Sequence, residues 1–213
     1  YPAPLSNLDR HVALYRDPAR RRAHFQLMRL GLLGSFTPPC PSRRLRDGEA
    51  IKLAGREWFA VHTPGHTLDH LCLHDPEGGL LLSGDHVLPT ITPHISGVGG
   101  GRDPLAHFFA SLDRVAALEG VVTTLPAHGQ PLEDLAARTD DIKVHHRGRL
   151  DRLVDAGRAE GPLTVTELSH HLFRPARWGF MAESETYAHL EHLRQCGRAR
   201  RRETEGTVLY EMT

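Results

Sequence analysis

Cysteine is scarce in this chain. Cys40, Cys72 and Cys196 are the whole complement of its 213 residues, and no two of them form a CxxC pair. So odd and sparse a set argues against a disulfide-stapled scaffold and for a reducing cytosol. Long hydrophobic runs are missing too, since none approaches the eighteen or so apolar residues of a membrane span. Charge of one sign is lacking: 26 Lys plus Arg balance 26 Asp plus Glu. A protein that lives by phosphate contacts is more basic than this. Lysine is nearly absent, with Lys52 and Lys143 alone among many arginines, which reads as genome composition. At 39% apolar and 24% charged residues, the chain has ordinary globular usage, and collagen-like, disordered and coiled-coil classes fall away. The length suits one large domain or two small ones. It starts at Tyr1 without a signal-like apolar stretch, so it is expected to begin partway through a longer protein.

What the chain has in excess is histidine, sixteen in all. Histidine is the commonest metal ligand and a proton shuttle, so a metal site is the first chemistry to test.

Leu5 to Leu33 carries apolar residues at helical spacing, and Pro18 divides it into two helices. Arg16, Arg20, Arg21 and Arg22 read as a solvated face there. Short strands are expected at Glu49 to Leu53, Arg56 to Thr63, Leu71 to His74 and Leu80 to Ser83, separated by Gly-rich turns. Asp103-Pro104 should cap a helix that carries Leu105, Phe108, Leu112, Val115 and Leu118 inward. Val121 to Leu125 reads as a short buried strand, and the whole as a mixed α/β layer structure. Beyond Asp140 the pattern changes. Helices are expected from Asp141 to Ala156, after a Thr164–Glu167 capping box, and from Glu183 to Gln195. Ala199 to Glu203 and Thr207 to Met212 would close a hairpin, and three helices with a hairpin make a winged-helix pattern.

The chemistry concentrates in VHTPGHTLDHLCLHDPEGGLLLSGDHVLP and the later TTLPAHGQP. His62, His66, His70 and His74 are spaced by four, yet Pro64 and Gly65 forbid the helix that would align them. The better reading is positional. Pro64-Gly65 presents His66 after one strand, Gly84 places Asp85 at the end of another, and Pro126-Ala127 delivers His128 at the end of a third. Two imidazoles and a carboxylate form part of a ligand set for Zn²⁺ or a similar ion.

HTPGHT, SGDH and PAHG, in this order, resemble the later metal motifs of the metallo-β-lactamase superfamily, the αββα fold that includes glyoxalase II. The match covers roughly Asp47 to Arg138. The resemblance implies that His66 binds a first metal, Asp85 bridges two and His128 binds the second, with Zn²⁺ expected at both positions. The tail is similar to the winged-helix-like extension of the lactamase-like protein 2 hydrolases, as is the string SGDHVLPTITPHI. The family's first motif, HxHxDH, is missing: before His66 there are only His11, His24 and His62. The upstream half is therefore expected to lie outside this chain.

Among the remaining residues, His70 and His86 are candidates for hydrogen bonding behind the ligands. His62 and His74 read as structural, His145 and His146 as packed or solvated, and Cys72 as an inert buried thiol. Gly97 to Gly101 lacks the strand and lysine of a phosphate loop and reads as a mobile loop lining the cleft. The tail from Asp140 holds twelve basic and twelve acidic residues. Glu183, Glu185 and Glu191 on its third helix would repel phosphates, which disfavours nucleic acid.

The resulting expectation is an α/β fold: residues 1–138 the C-terminal part of an αββα sandwich, residues 139–213 a small winged-helix-like α+β domain. The function expected is a metal-dependent, dinuclear zinc hydrolase of a small ester or thioester, with Asp85 also orienting the attacking hydroxide. The competing readings are a single-strand endoribonuclease of the same superfamily and a degenerate, non-catalytic binding module. The expected partner is a small-molecule substrate, with no membrane and nucleic acid left as the minor option. A sheet face open for lack of the upstream half would favour homo-oligomerisation or association with that half.

Overall fold

The computed structural model describes residues 43–98, 101–204 and 206–213. The expected helices from Leu5 to Leu33, their arginine cluster and Cys40 lie outside the described residues. A five-stranded sheet comes first, with strands in the order β1 (Ala50–Leu53), β2 (Arg56–His62), β3 (Leu71–Asp75), β4 (Leu80–Gly84) and β5 (Thr123–Pro126). The first four pair antiparallel through short turns. β5 pairs parallel to β4. A parallel neighbour needs a crossover, and α1 (Pro104–Ala116) supplies it.

Side chains alternate across the strands. Val61, Cys72 and Leu81 turn to the face that packs on Leu105, Phe108, Leu112 and Val115 of α1. On the opposite face Leu71, Leu73, Leu80, Leu82 and Leu125 stay partly exposed. Asp103 caps α1 by accepting from the Ala106 amide at 2.9 Å, and Pro104 occupies its first turn. Asp47 ties the entry of the sheet to this helix: it accepts from the His62 amide at 2.8 Å and from Arg114 at 2.7 Å.

The remaining described elements are α2 (Leu135–Glu160), α3 (Val165–Leu172), a 3₁₀ turn (Pro175–Arg177), α4 (Phe180–Gln195) and the hairpin β6 (Ala199–Thr204) with β7 (Thr207–Met212). The Thr164–Glu167 capping box opens α3, each residue bonding the other's amide. Strand ends shift by a residue or two, and α2 runs on past Ala156 and Gly157 to Glu160; the starts of three elements differ as follows. α2 begins at Leu135, ahead of the Arg138 division, because Asp134 caps it by accepting from the Ala137 amide. α4 starts one turn early, at Phe180 after Gly179. β5 starts at Thr123, two residues later than expected, and Val122 ahead of it is exposed.

One hydrophobic cluster runs from Val61, Leu81 and Phe108 through Ile142 and Leu153 to Leu190 and Tyr210. Lys143 adds a polar link, bonding Asp113 of α1 at 2.7 Å and Asp140 of its own helix at 2.8 Å. The tail therefore shares its core with the sheet layer. Among the described residues no helix is long and apolar enough to cross a membrane.

Candidate metal centre

His66, Asp85 and His128 come together at the ends of β2, β4 and β5. After β2 the chain must turn at once, and Gly65 turns it with φ +148°. A side chain there would be blocked: a Cβ would lie 2.5 Å from Phe108 Cβ and 2.7 Å from its Cα. Ser111 of α1 donates to the Pro64 carbonyl at 2.8 Å and fixes the same turn. After β4, Gly84 takes φ +54° beneath His70, whose Nε2 would be 2.7 Å from a Cβ. The Ala127 amide donates to the Gly84 carbonyl at 2.9 Å, which brings the strand end carrying His128 beside Asp85.

His66 Nδ1 bonds the His94 carbonyl at 2.7 Å, so that nitrogen carries the proton. Nε2, which carries the lone pair in the neutral ring, faces Asp85 Oδ2 at 3.8 Å. His128 Nε2 faces the other oxygen, Oδ1, at 3.3 Å. Asp85 Oδ1 is buried without a hydrogen-bond partner. A buried carboxylate oxygen is costly unless paired. A lone pair set against a carboxylate, beside an orphaned oxygen, is a donor set that a cation would satisfy. Each carboxylate oxygen turns to a different imidazole, so the donor chemistry suits two ion positions sharing Asp85; the three side chains do not gather within 4.8 Å around one.

Behind these three side chains, His70 Nδ1 is 2.7 Å from Thr63 Oγ1, and burial lowers its pKa. His86 is fully buried beside the edge of Phe108, and burial pushes its pKa down to about 3, so its ring is neutral. His62 Nε2 bonds the Leu68 carbonyl at 2.8 Å. Cys72 is buried between Thr63 and Ser83, and its thiol is pushed up to about 12. Such a thiol is no nucleophile.

Several polar contacts of α2 and α4 were not anticipated from the sequence. Glu185 on α4 pairs with Arg149 on α2 and lies 3.4 Å from His94 Nδ1. His146 Nδ1 and His189 Nε2 are 3.0 Å apart, and His189 Nδ1 bonds the Glu185 carbonyl at 2.7 Å. Burial pushes His146 down to about 2 and His189 to about 4. Two neutral imidazoles and a carboxylate this close have the composition of a metal site. The Arg149 guanidinium already holds that carboxylate, so the cluster reads as a buried hydrogen-bond network. The available signal was Glu185 and His189, one helical turn apart in a helix. Two expectations are corrected here. Glu185 and Glu191 do not front a groove: Glu185 is buried against Arg149, and Glu191 accepts from Tyr210 at 2.6 Å. Gly97, expected in a mobile loop, donates its amide to the Ser184 carbonyl at 3.0 Å, while residues 99 and 100 lie outside the described residues.

A family model described as the metallo-beta-lactamase superfamily matches residues 7–128. The lactamase-like protein vrtG of Penicillium aethiopicum is 37% identical over 119 residues, which span 56% of this chain and 36% of that protein. The atrochrysone carboxyl ACP thioesterase of Aspergillus fumigatus is 30% identical over 145 residues, 62% of this chain and 32% of the relative. The chain thus spans about a third of the length of these two curated relatives. Among solved structures, a metallo-beta-lactamase family protein of Thermus thermophilus superposes with a TM-score of 0.76 at 32% identity, covering 95% of this chain and 68% of that one. A beta-lactamase domain protein of Burkholderia ambifaria gives 0.75 at 31% identity, over 92% of this chain and 62% of that one.

Proposed function

The chain belongs to the metallo-beta-lactamase superfamily, and we propose that it carries the later metal ligands of a metal-dependent hydrolase acting on a small ester or thioester. The observation that carries the proposal is the arrangement at Asp85, whose two oxygens face His66 Nε2 and His128 Nε2. A carboxylate so placed is suited to bridging two ions. His66 would hold the first, His128 the second, and zinc, two ions per complete site, is the metal whose chemistry this donor set favours. When bound, such ions lower the pKa of a water and polarise a carbonyl.

The chain's own residues do the positioning. The His94 carbonyl accepts a hydrogen bond from His66 Nδ1–H, which leaves Nε2 as the nitrogen that would serve as a ligand. Asp85, held at the end of β4 by the Gly84 turn, would orient the attacking water. No serine or cysteine nucleophile is required. The family's HxHxDH motif does not occur in the sequence, so the proposed complete site draws further ligands from elsewhere. We read the segment from residue 139 as a winged-helix-like unit that walls the cleft.

A thioester is preferred because one relative is named a thioesterase. The chain's zero formal charge disfavours a long polyanion such as RNA. The test is metal analysis of the whole protein, followed by steady-state assays on an acyl thioester and on single-stranded RNA. Asp85→Ala should lose both metal and activity. A well-folded protein from metal-replete medium that holds no metal would overturn the reading. Faster Asp85-dependent cleavage of RNA, steeply weakened by salt, would overturn the substrate class.

A further inference from the structure

The His66 ring is oriented by a single backbone carbonyl, that of His94, at 2.7 Å. A carbonyl orients a ligand only as well as its own segment is held. The His94 segment has no regular secondary structure of its own. Its fixed points are on α4. His94 Nδ1 meets Glu185 Oε2 at 3.4 Å, Ser96 Oγ meets Ser184 Oγ at 2.9 Å, and the Gly97 amide donates to the Ser184 carbonyl at 3.0 Å. Between them Ile95 is fully buried. The approach to α4 is close enough to exclude a side chain at Gly97, where a Cβ would lie 2.4 Å from Tyr187 Cδ1.

The anchor is itself anchored. Glu185 is buried and pairs with Arg149, whose guanidinium lies 4.6 Å from the centre of the Phe173 ring. Ser184 is fully buried on the same helix. A continuous set of contacts therefore runs from α2 through α4 and the His94–Gly97 segment to His66.

We propose that Ser184 and Glu185 are positioning residues for His66: by gripping Ser96 and His94 they hold the carbonyl that aims His66 Nε2 at Asp85. The inference rests on the reading of His66 and Asp85 as metal ligands, and it gives the C-terminal helices a defined part in the metal centre. Partners of this kind behind a ligand typically change metal affinity by about 10–100-fold.

The test uses the whole protein with His94→Ala and Ser184→Ala combined, which cuts both side-chain grips and leaves the His94 carbonyl in the chain. Zinc affinity is measured by chelator competition, the ligand field by Co²⁺ absorption, and folding by the thermal midpoint of the metal-free protein. The expected result is an affinity about 10–100-fold weaker with an altered Co²⁺ spectrum. The metal-free midpoint should fall by no more than about 8 °C, the equivalent of two lost hydrogen bonds. His94→Gln, which can still donate an N–H to Glu185, should restore the parent affinity and spectrum. Unchanged affinity and spectrum in the double variant, alongside loss of metal in His66→Ala, would overturn the positioning role and leave the metal centre standing. Undiminished metal in His66→Ala would overturn the underlying reading as well.

Discussion

Gly65→Ala should damage the fold and the metal centre together. Two costs add. The residue sits at φ +148°, a region that side chains rarely adopt, and such strain is worth about 1–3 kcal/mol. The new methyl would also lie 2.5 Å from Phe108 Cβ and 2.7 Å from its Cα, so a rotamer change cannot relieve the contact. Phe108 has no room to retreat, being fully buried with His86 and His146 at ring distances of 5.1 and 5.6 Å. Overpacking of this kind costs about 1–3 kcal/mol more. The total, about 2–6 kcal/mol, is a large share of the 5–15 kcal/mol that keeps a domain folded. With a urea slope near 2 kcal/mol/M, the midpoint should fall by about 1–3 M. Gly48→Ala is the control: its φ is +75°, with nothing within 4 Å of a Cβ, so it reports strain without a clash. The next residue is His66, and metal affinity should fall with the midpoint. A Gly65→Ala midpoint no lower than that of Gly48→Ala would refute the packing argument.

Three further outcomes follow from the described contacts. His146 and His189 are held neutral by burial beside Glu185, Arg149, His145 and His192, whereas both titrate near 6.5 once unfolded. Below that pH the unfolded chain binds more protons, so stability is complete above about 6.5 and should drop by about 4 kcal/mol by pH 5. Urea titrations across that range check it, and a flat profile would contradict it. Glu185→Gln strands the buried Arg149 guanidinium and should cost about 3–5 kcal/mol, read from the same titrations. Thr164→Ala removes the cap on the Glu167 amide at the start of α3 and should cost about 1 kcal/mol without altering metal content.

The parts legible in the sequence were those that local chemistry decides. Gly and Pro mark the turns around the sheet, Asp103-Pro104 and the Thr164–Glu167 box mark helix starts, and Gly65, Gly84 and Pro126 mark where strands hand over His66, Asp85 and His128. What escaped depends on contacts between distant segments. Nothing near His94 announces that its carbonyl holds a ring 28 residues earlier, or that its side chain reaches Glu185, 91 residues later. Glu185 misled for a related reason. A glutamate in a helix is ordinarily solvated, and only the arginine of another helix makes burial affordable.

A second arginine, Arg138, bears on the division drawn at its own position. The boundary falls in the first turn of α2, where Arg138 donates to the Leu88 carbonyl at 2.7 Å and to the Ile91 carbonyl at 2.9 Å. Those carbonyls belong to the loop that leaves Asp85 and leads to His94. The segment behind His66 is therefore held at its start by α2 and at its end by α4, while His66, Asp85 and His128 sit at the strand ends of the sheet layer. A cut between the two units would sever Arg138, Ser184 and Glu185 from the loop they fix. Strand ends bring His66, Asp85 and His128 together, and the later helices govern how well the first of them is aimed.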